Sequence, residues 1–191
     1  MSNLAADTRA FRIGFLAALE TDDGAFVAGL LVTNRYGRPL EFQCTSPVRP
    51  TRAQQLLYGD TLRPYLLGEL MGTALLDRIA TAPHLLVTDN EHVLDLRNHI
   101  SIPMARVSPT DTDTYLANSR DGEAPPLGQV RMGCRILTIH HAHEADVSTL
   151  HHGASQVPSD SDLHEPLVRV RQALRETLPA QPTGARGASR P

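Results

Sequence analysis

Five of the nine histidines fall between His140 and His152, in the run His140-His141-Ala142-His143-Glu144-Ala145-Asp146 and the pair His151-His152. A neutral imidazole offers one ring nitrogen to a divalent cation and a carboxylate offers an anionic oxygen, so His141, His143 and Asp146 form a candidate ligand set. Zinc is the cofactor such a set would take. If the preceding strand continues through His143, side chains two residues apart point to one face and the two imidazoles share one ion. Clustered imidazoles also lose charge as pH rises through about 6.5, so a pH response is a further option. A solvated histidine-rich loop is the plain alternative.

The pattern His141-x-His143-x-x-Asp146 resembles, in part, the His-x-His-x-Asp-His element of metallo-β-lactamase-type hydrolases. It departs from that element in the spacing of the aspartate, lacks a histidine directly after it, and lies near the C-terminal end of the sequence. What the resemblance implies is a small metal-dependent hydrolase.

A second constellation is basic. Arg35, Arg38, Arg49, Arg52 and Arg63 outnumber Glu41 and Asp60 in a chain whose net charge is −3. Guanidinium forks suit carboxylates and phosphates, and Arg52 opens a predicted helix where backbone N–H groups point outward. Arg38, Arg49 and Arg52 are therefore a candidate anion site, and the Arg35–Arg63 patch would make the chain an anion- or nucleotide-binding regulator. Cys44, beside Thr45-Ser46, is a third candidate as a nucleophile, with a buried reduced thiol as the alternative. Tyr58-Gly59-Asp60, at a predicted helix break, reads as packing. All 18 basic residues are Arg, which excludes Schiff-base chemistry and a phosphate-loop lysine.

These residues must be carried by elements that the patterning predicts. Residues 11 to 20 alternate Phe11, Ile13, Phe15, Ala17 and Leu19 against Arg12, Gly14, Leu16, Ala18 and Glu20, the signature of a strand with one core face. Thr21-Asp22-Asp23-Gly24 is a turn, Phe26 to Val32 an apolar strand, and Asn34 to Pro39 a second turn before Leu40, Phe42 and Cys44 alternate outward. Thr51 caps a helix that Gly59-Asp60 interrupts, and a second segment with Leu67, Leu70, Met71, Ala74 and Leu75 on one stripe runs to Ala82-Pro83. Gly68 and Gly72 on that stripe admit close approach of another element. His84 to Thr88 and His92 to Arg97 read as a second hairpin around Asp89-Asn90-Glu91, with a short strand from Ile100 to Val107. A long polar loop follows at 108–128, then a strand from Arg131 to His140, and a final helix capped by Asp162 with Leu163, Leu167, Val170, Leu174 and Leu178 on one face.

The expected fold is α+β: an antiparallel sheet of five to six strands with two main helices in β-β-β-α-β-β-β-α order, similar in element order to PAS, longin and roadblock domains. Residues 11–178 are expected to form a single domain between a flexible N-terminus at 1–10 and a disordered tail at 179–191. With 41% hydrophobic and 20% charged residues the composition is that of a globular protein, and the absence of an apolar run near ~20 residues or a basic, apolar leader points to the cytoplasm. Net negative charge predicts no attraction for nucleic acid or an anionic membrane. Without a complete catalytic set, the expectation is a non-catalytic cytoplasmic binding, adaptor or regulatory protein, more a non-enzyme than an enzyme, acting on a protein partner or on its own copy through exposed sheet edges.

Overall fold

Phe11 to Phe26 set the frame: an apolar strand, a turn closed by Gly24 at positive φ, and a second apolar strand running back. The computed structural model describes residues 11–108 and 128–178. The expected flexible N-terminus, most of the polar loop and the expected disordered tail lie outside those residues. Strands β1 (Arg12–Glu20), β2 (Phe26–Asn34) and β3 (Pro39–Cys44) form the predicted antiparallel meander, with Phe15 opposite Leu31 and Leu31 opposite Phe42.

Beyond the meander the chain departs from the antiparallel expectation. The sheet is mixed and seven-stranded, in the order β3-β2-β1-β4-β5-β7-β6. Strands β4 (Leu85–Thr88) and β5 (Met104–Val107) run parallel to β1, and β6 (Gln129–Met132) and β7 (Arg135–Ile139) close that side, with β7 antiparallel to β5 and β6 antiparallel to β7. Parallel neighbours cannot be joined by a tight turn, so the chain must cross over between β4 and β5. The predicted strand from His92 to Arg97 is therefore helical, as α3 (Glu91–Leu94) and a 3₁₀ turn (Asp95–Asn98). Asn90 starts it, its side chain accepting from the His92 N–H at 2.9 Å.

The crossover from β3 to β4 is helical too. Thr51 caps α1 (Arg52–Tyr58) in a capping box with Gln54, and Gly59, at φ 50°, breaks it. A 3₁₀ turn (Gly59–Thr61), a π-helix (Pro64–Leu70) and α2 (Met71–Leu76) follow, so the helical run stops short of the predicted end at Ala82. Gly68 and Gly72 do admit close approach. A Cβ on Gly68 would stand 3.1 Å from the His92 carbonyl oxygen, and one on Gly72 would stand 2.5 Å from Leu96 Cδ2.

Both faces of the central strands are covered, which corrects the single core face expected for β1. On one side Phe15, Val87 and Leu137 pack under α4 (Val147–Ala154) and α5 (Glu165–Thr177); on the other Leu16, Leu30 and Leu86 pack under Leu66, Met71, Leu75 and Leu96. Fully burying each such side chain contributes about 1.5–3 kcal/mol. The predicted strand from Arg131 to His140 is a hairpin, because Gly133 turns at φ 60° against the Ser161 carbonyl, which accepts the Cys134 N–H at 2.9 Å. Asp162 Oδ1 accepts the His164 N–H at 2.8 Å at the start of the last helix, and the same carboxylate accepts Arg135 Nε at 2.7 Å and Nη2 at 2.9 Å. Asp89, at the end of β4, accepts from His164 Nε2 at 3.1 Å and from Arg171, and so fastens α5 to the sheet. Among the described residues no helix is long and apolar enough to cross a membrane.

Candidate functional site

Strand β7 ends at Ile139, so His140, His141 and His143 leave the sheet in a turn rather than continuing along one strand face. The turn is closed by the His143 N–H donating to the His140 carbonyl at 2.9 Å, and a 3₁₀ turn (Glu144–Asp146) leads into α4. Asp146 is turned inward. Its Oδ2 accepts Arg97 Nε at 2.7 Å and the Met104 N–H at 3.2 Å, while Oδ1 accepts Arg97 Nη2 at 3.0 Å. Arg97 Nη1 reaches the Ile100 carbonyl at 2.7 Å. This buried fork ties the histidine turn to the 3₁₀ turn at Asp95–Asn98 and to β5.

That anchoring brings His140 and His141 against the π-helix across an open cleft of about 470 Å³. Two ring pairs line it: Tyr58 and Tyr65 stack with centroids 4.6 Å apart and planes at 26°, and His140 and His141 stack at 4.5 Å and 24°. Tyr58 closes α1 where Gly59 breaks it, and Tyr65 lies in the π-helix, whose i→i+5 turns are wider than those of an α-helix. Asp95, Asn98 and Glu69 also line the cleft.

Hydrogen bonding fixes the ring of His140. Its Nδ1 accepts the Ala142 N–H at 3.2 Å, so the ring proton of the neutral form resides on Nε2, which lies 3.5 Å from Asp95 Oδ1 and 3.4 Å from the Asn98 amide. Burial, with the charges that His141 and His143 would carry, holds its pKa below the usual imidazole value, against the opposing pull of Asp95. His143 Nε2 meets Asn98 Oδ1 at 3.0 Å, and His99 Nε2 stands 3.7 Å from Glu69. Loss of solvent, together with Tyr65 and Glu69, raises the pKa of Tyr58. The cleft is thus a ring-lined, hydrogen-bonding, net-anionic surface.

The predicted metal set does not assemble. His141 lines the cleft and His143 bonds Asn98 beside it, but Asp146 is committed to Arg97, and among the described residues no three His, Cys, Asp or Glu side chains are placed to hold a metal ion. The predicted anion set does not assemble either. Arg38 sits on the turn after β2, and Arg49 pairs with Asp23 on the turn before it. Nine residues of strand put roughly 30 Å between those turns. Arg52 is exposed on α1 beside Gln55, and Arg63 pairs with Glu20 at 2.7 Å. Cys44 is a half-buried free thiol on edge strand β3. Tyr65, Asp95 and Asn98 are cleft residues that the sequence patterning does not single out. The available signal is Tyr58-x6-Tyr65 across a helix break, two rings one or two turns apart.

In class the chain is an α+β protein with a mixed seven-stranded sheet and one ring-lined cleft built on its crossovers. No protein-family model matches it, and no curated protein matches it. Among solved structures it overlaps in chain path with Ciona intestinalis endonuclease V, crystallised with a DNA containing an inosine, at TM-score 0.45 and 10% identity over 88% of this chain and 87% of that one. It overlaps similarly with human ENDOV, at TM-score 0.45 and 15% identity over 91% and 88%. Overlap at this level transfers no residue and no chemistry. Both neighbours are endonucleases, one of them crystallised with DNA. Against them stand the expected non-catalytic adaptor, its protein or self partner, the leaning toward a non-enzyme and the exclusion of nucleic acid, none of which is carried further.

Proposed function

We propose that the cleft is a recognition site for a planar nitrogen heterocycle, and that through it the chain engages a nucleobase in a nucleoside or an unpaired strand. The observation that carries this reading is the presence of two stacked ring pairs, Tyr58–Tyr65 and His140–His141, with hydrogen-bonding groups in the lining of one cavity of about 470 Å³. A cavity of that size lies within the range that takes small ligands, and a base stacked on an aromatic ring gains about 1–3 kcal/mol. Among the described residues no arginine lines the cavity, so the reading rests on the ring and not on the phosphate.

The chain has four tyrosines and no tryptophan, and two of the four, Tyr58 and Tyr65, line the cleft, so a ligand there is expected to quench part of the tyrosine emission. Titration with nucleosides and short single-stranded oligonucleotides is expected to give saturable quenching, weakened about tenfold by Tyr58→Ala. The same mixtures are assayed for strand scission, which decides whether recognition is coupled to chemistry. Absence of saturation with every base, or quenching that Tyr58→Ala and His141→Ala leave unchanged, rejects the reading.

A further inference from the structure

We infer that the cleft selects bases presenting adjacent N–H donors, guanine above all, and that Asp95 is the residue that reads them. This rests on the nucleobase reading above and adds the class of base.

Among the described residues the charged groups lining the cavity are the carboxylates Asp95 and Glu69, together with imidazoles. Glu69 Oε2 lies 3.7 Å from His99 Nε2, beyond hydrogen-bond reach, so that contact does not orient it. Asp95 is better placed. The tautomer of His140 is set from behind by the Ala142 N–H, so its Nε2 proton approaches Asp95 Oδ1 and orients the carboxylate. Oδ2 has no partner among the described residues, on a side chain that is 46% exposed at the cavity. A carboxylate held on one oxygen and open on the other is an acceptor surface with no donor of its own.

Nucleobases differ in how they meet such a surface. Guanine carries N1–H and the 2-amino group side by side, two donors that match two carboxylate oxygens in the forked geometry that makes charge-assisted pairs strong. Hypoxanthine keeps N1–H and lacks the amino group. Adenine sets the bare N1 lone pair beside its 6-amino group, so one acceptor faces another. The order guanosine, inosine, adenosine follows from two donors, one donor, and one donor set beside a repelling lone pair. Stacking on Tyr58 or His141 is common to all three and does not discriminate.

The test is calorimetric titration of the full chain with guanosine, inosine and adenosine near neutral pH, repeated with Asp95→Asn and, as a cation control, with tetramethylammonium. Guanosine is expected to bind about tenfold or more tighter than adenosine, with inosine between them, and Asp95→Asn is expected to collapse that spread while adenosine still binds. Equal affinities for the three nucleosides, or a guanosine preference that survives Asp95→Asn, overturn the role of Asp95 and leave ring recognition standing. Binding of tetramethylammonium with no nucleoside bound overturns both, because the site would then read positive charge and not a base edge. A change at Asp95 that unfolds the chain is detected by circular dichroism, and Asp95→Glu, which keeps both oxygens, is then expected to retain the guanosine preference; its loss in a folded Asp95→Glu chain counts against the inference.

Discussion

Asp146 and Arg97 face each other through a two-pronged contact, Nε to Oδ2 at 2.7 Å and Nη2 to Oδ1 at 3.0 Å, with side chains only 4% and 14% exposed. Asp146 in turn raises the pKa of Arg97 by bonding its charged form. The fork is the point at which the histidine turn, the 3₁₀ turn carrying Asp95 and Asn98, and strand β5 are joined. A residue whose type and spacing suggest metal chemistry thus serves instead to position the cleft.

Removing one partner leaves the other charge buried and unpaired. Asp146→Ala is expected to lower unfolding free energy by about 3–5 kcal/mol in urea titrations, with loss of the quenching response of the cleft. A loss under about 1 kcal/mol would show that the pair is not holding the turn.

His140 gives the fold a pH limit. Its pKa is depressed in the folded chain, chiefly by burial, while an unfolded histidine titrates at the ordinary value of 6.5. As pH falls below that value the unfolded chain takes up the proton first, so stability present above pH 6.5 declines on acidification until the folded ring also protonates. His84, whose Nδ1 accepts the Arg12 N–H at 3.0 Å, has its pKa lowered by desolvation and then by Arg12, and adds in the same sense. The urea midpoint is expected to fall as pH drops through this window, and the slope to shrink in His140→Gln. A flat midpoint there contradicts the burial and tautomer assigned to His140.

Asp162 sets a second, more acidic window. Its forked contact with Arg135 holds its pKa at about 2, below the ordinary value of 3.8. The contribution is complete above the unfolded value and disappears as pH falls through about 2. Asp162→Asn is expected to be destabilising near neutral pH yet equal to the parent chain in strong acid, as read by thermal unfolding across that range.

Two glycines separate space from backbone strain. Gly24 and Gly133 both have positive φ, but a Cβ on Gly24 meets nothing within 4 Å, whereas one on Gly133 would collide with the Ser161 carbonyl oxygen. Gly24→Ala is expected to cost about 1 kcal/mol, the strain of the left-handed region alone. Gly133→Ala should cost clearly more, because the backbone at Ser161 must also move. Equal thermal shifts in the two variants would count against the placement of the β6–β7 turn.

The meander is legible in the sequence because β1 and β3 alternate with period two, β2 is a continuous apolar run, and Gly24 and Gly37, both at positive φ, punctuate them. The stretch from His92 to Arg97 is not. Val93, Leu94 and Leu96 fit either period over so few residues, and Asn90 serves equally as a turn residue and as a helix cap. The parallel pairing of β4 with β1 and β5, a long-range fact, decides between them. Helix α4 carries an apolar stripe of Val147, Leu150 and Ala154, but its eight residues include His151 and His152 and blend into the histidine-rich segment before it. Of the cleft, the density of His140 and His141 and the helix break at Tyr58 are visible in the sequence. Tyr65 and Asp95 are not, since their opposition depends on how two crossovers fold over one sheet face.

The most direct measurement is the ring resonances of the tyrosines and histidines, followed by NMR as guanosine is added. Base binding in the cleft predicts progressive shifts at Tyr58, Tyr65, His140 and His141, with His84, His151 and Tyr36 unmoved. Rings that do not shift at saturating guanosine, or shifts confined to Tyr36 and His151, would contradict a base-binding cleft between the π-helix and the histidine turn.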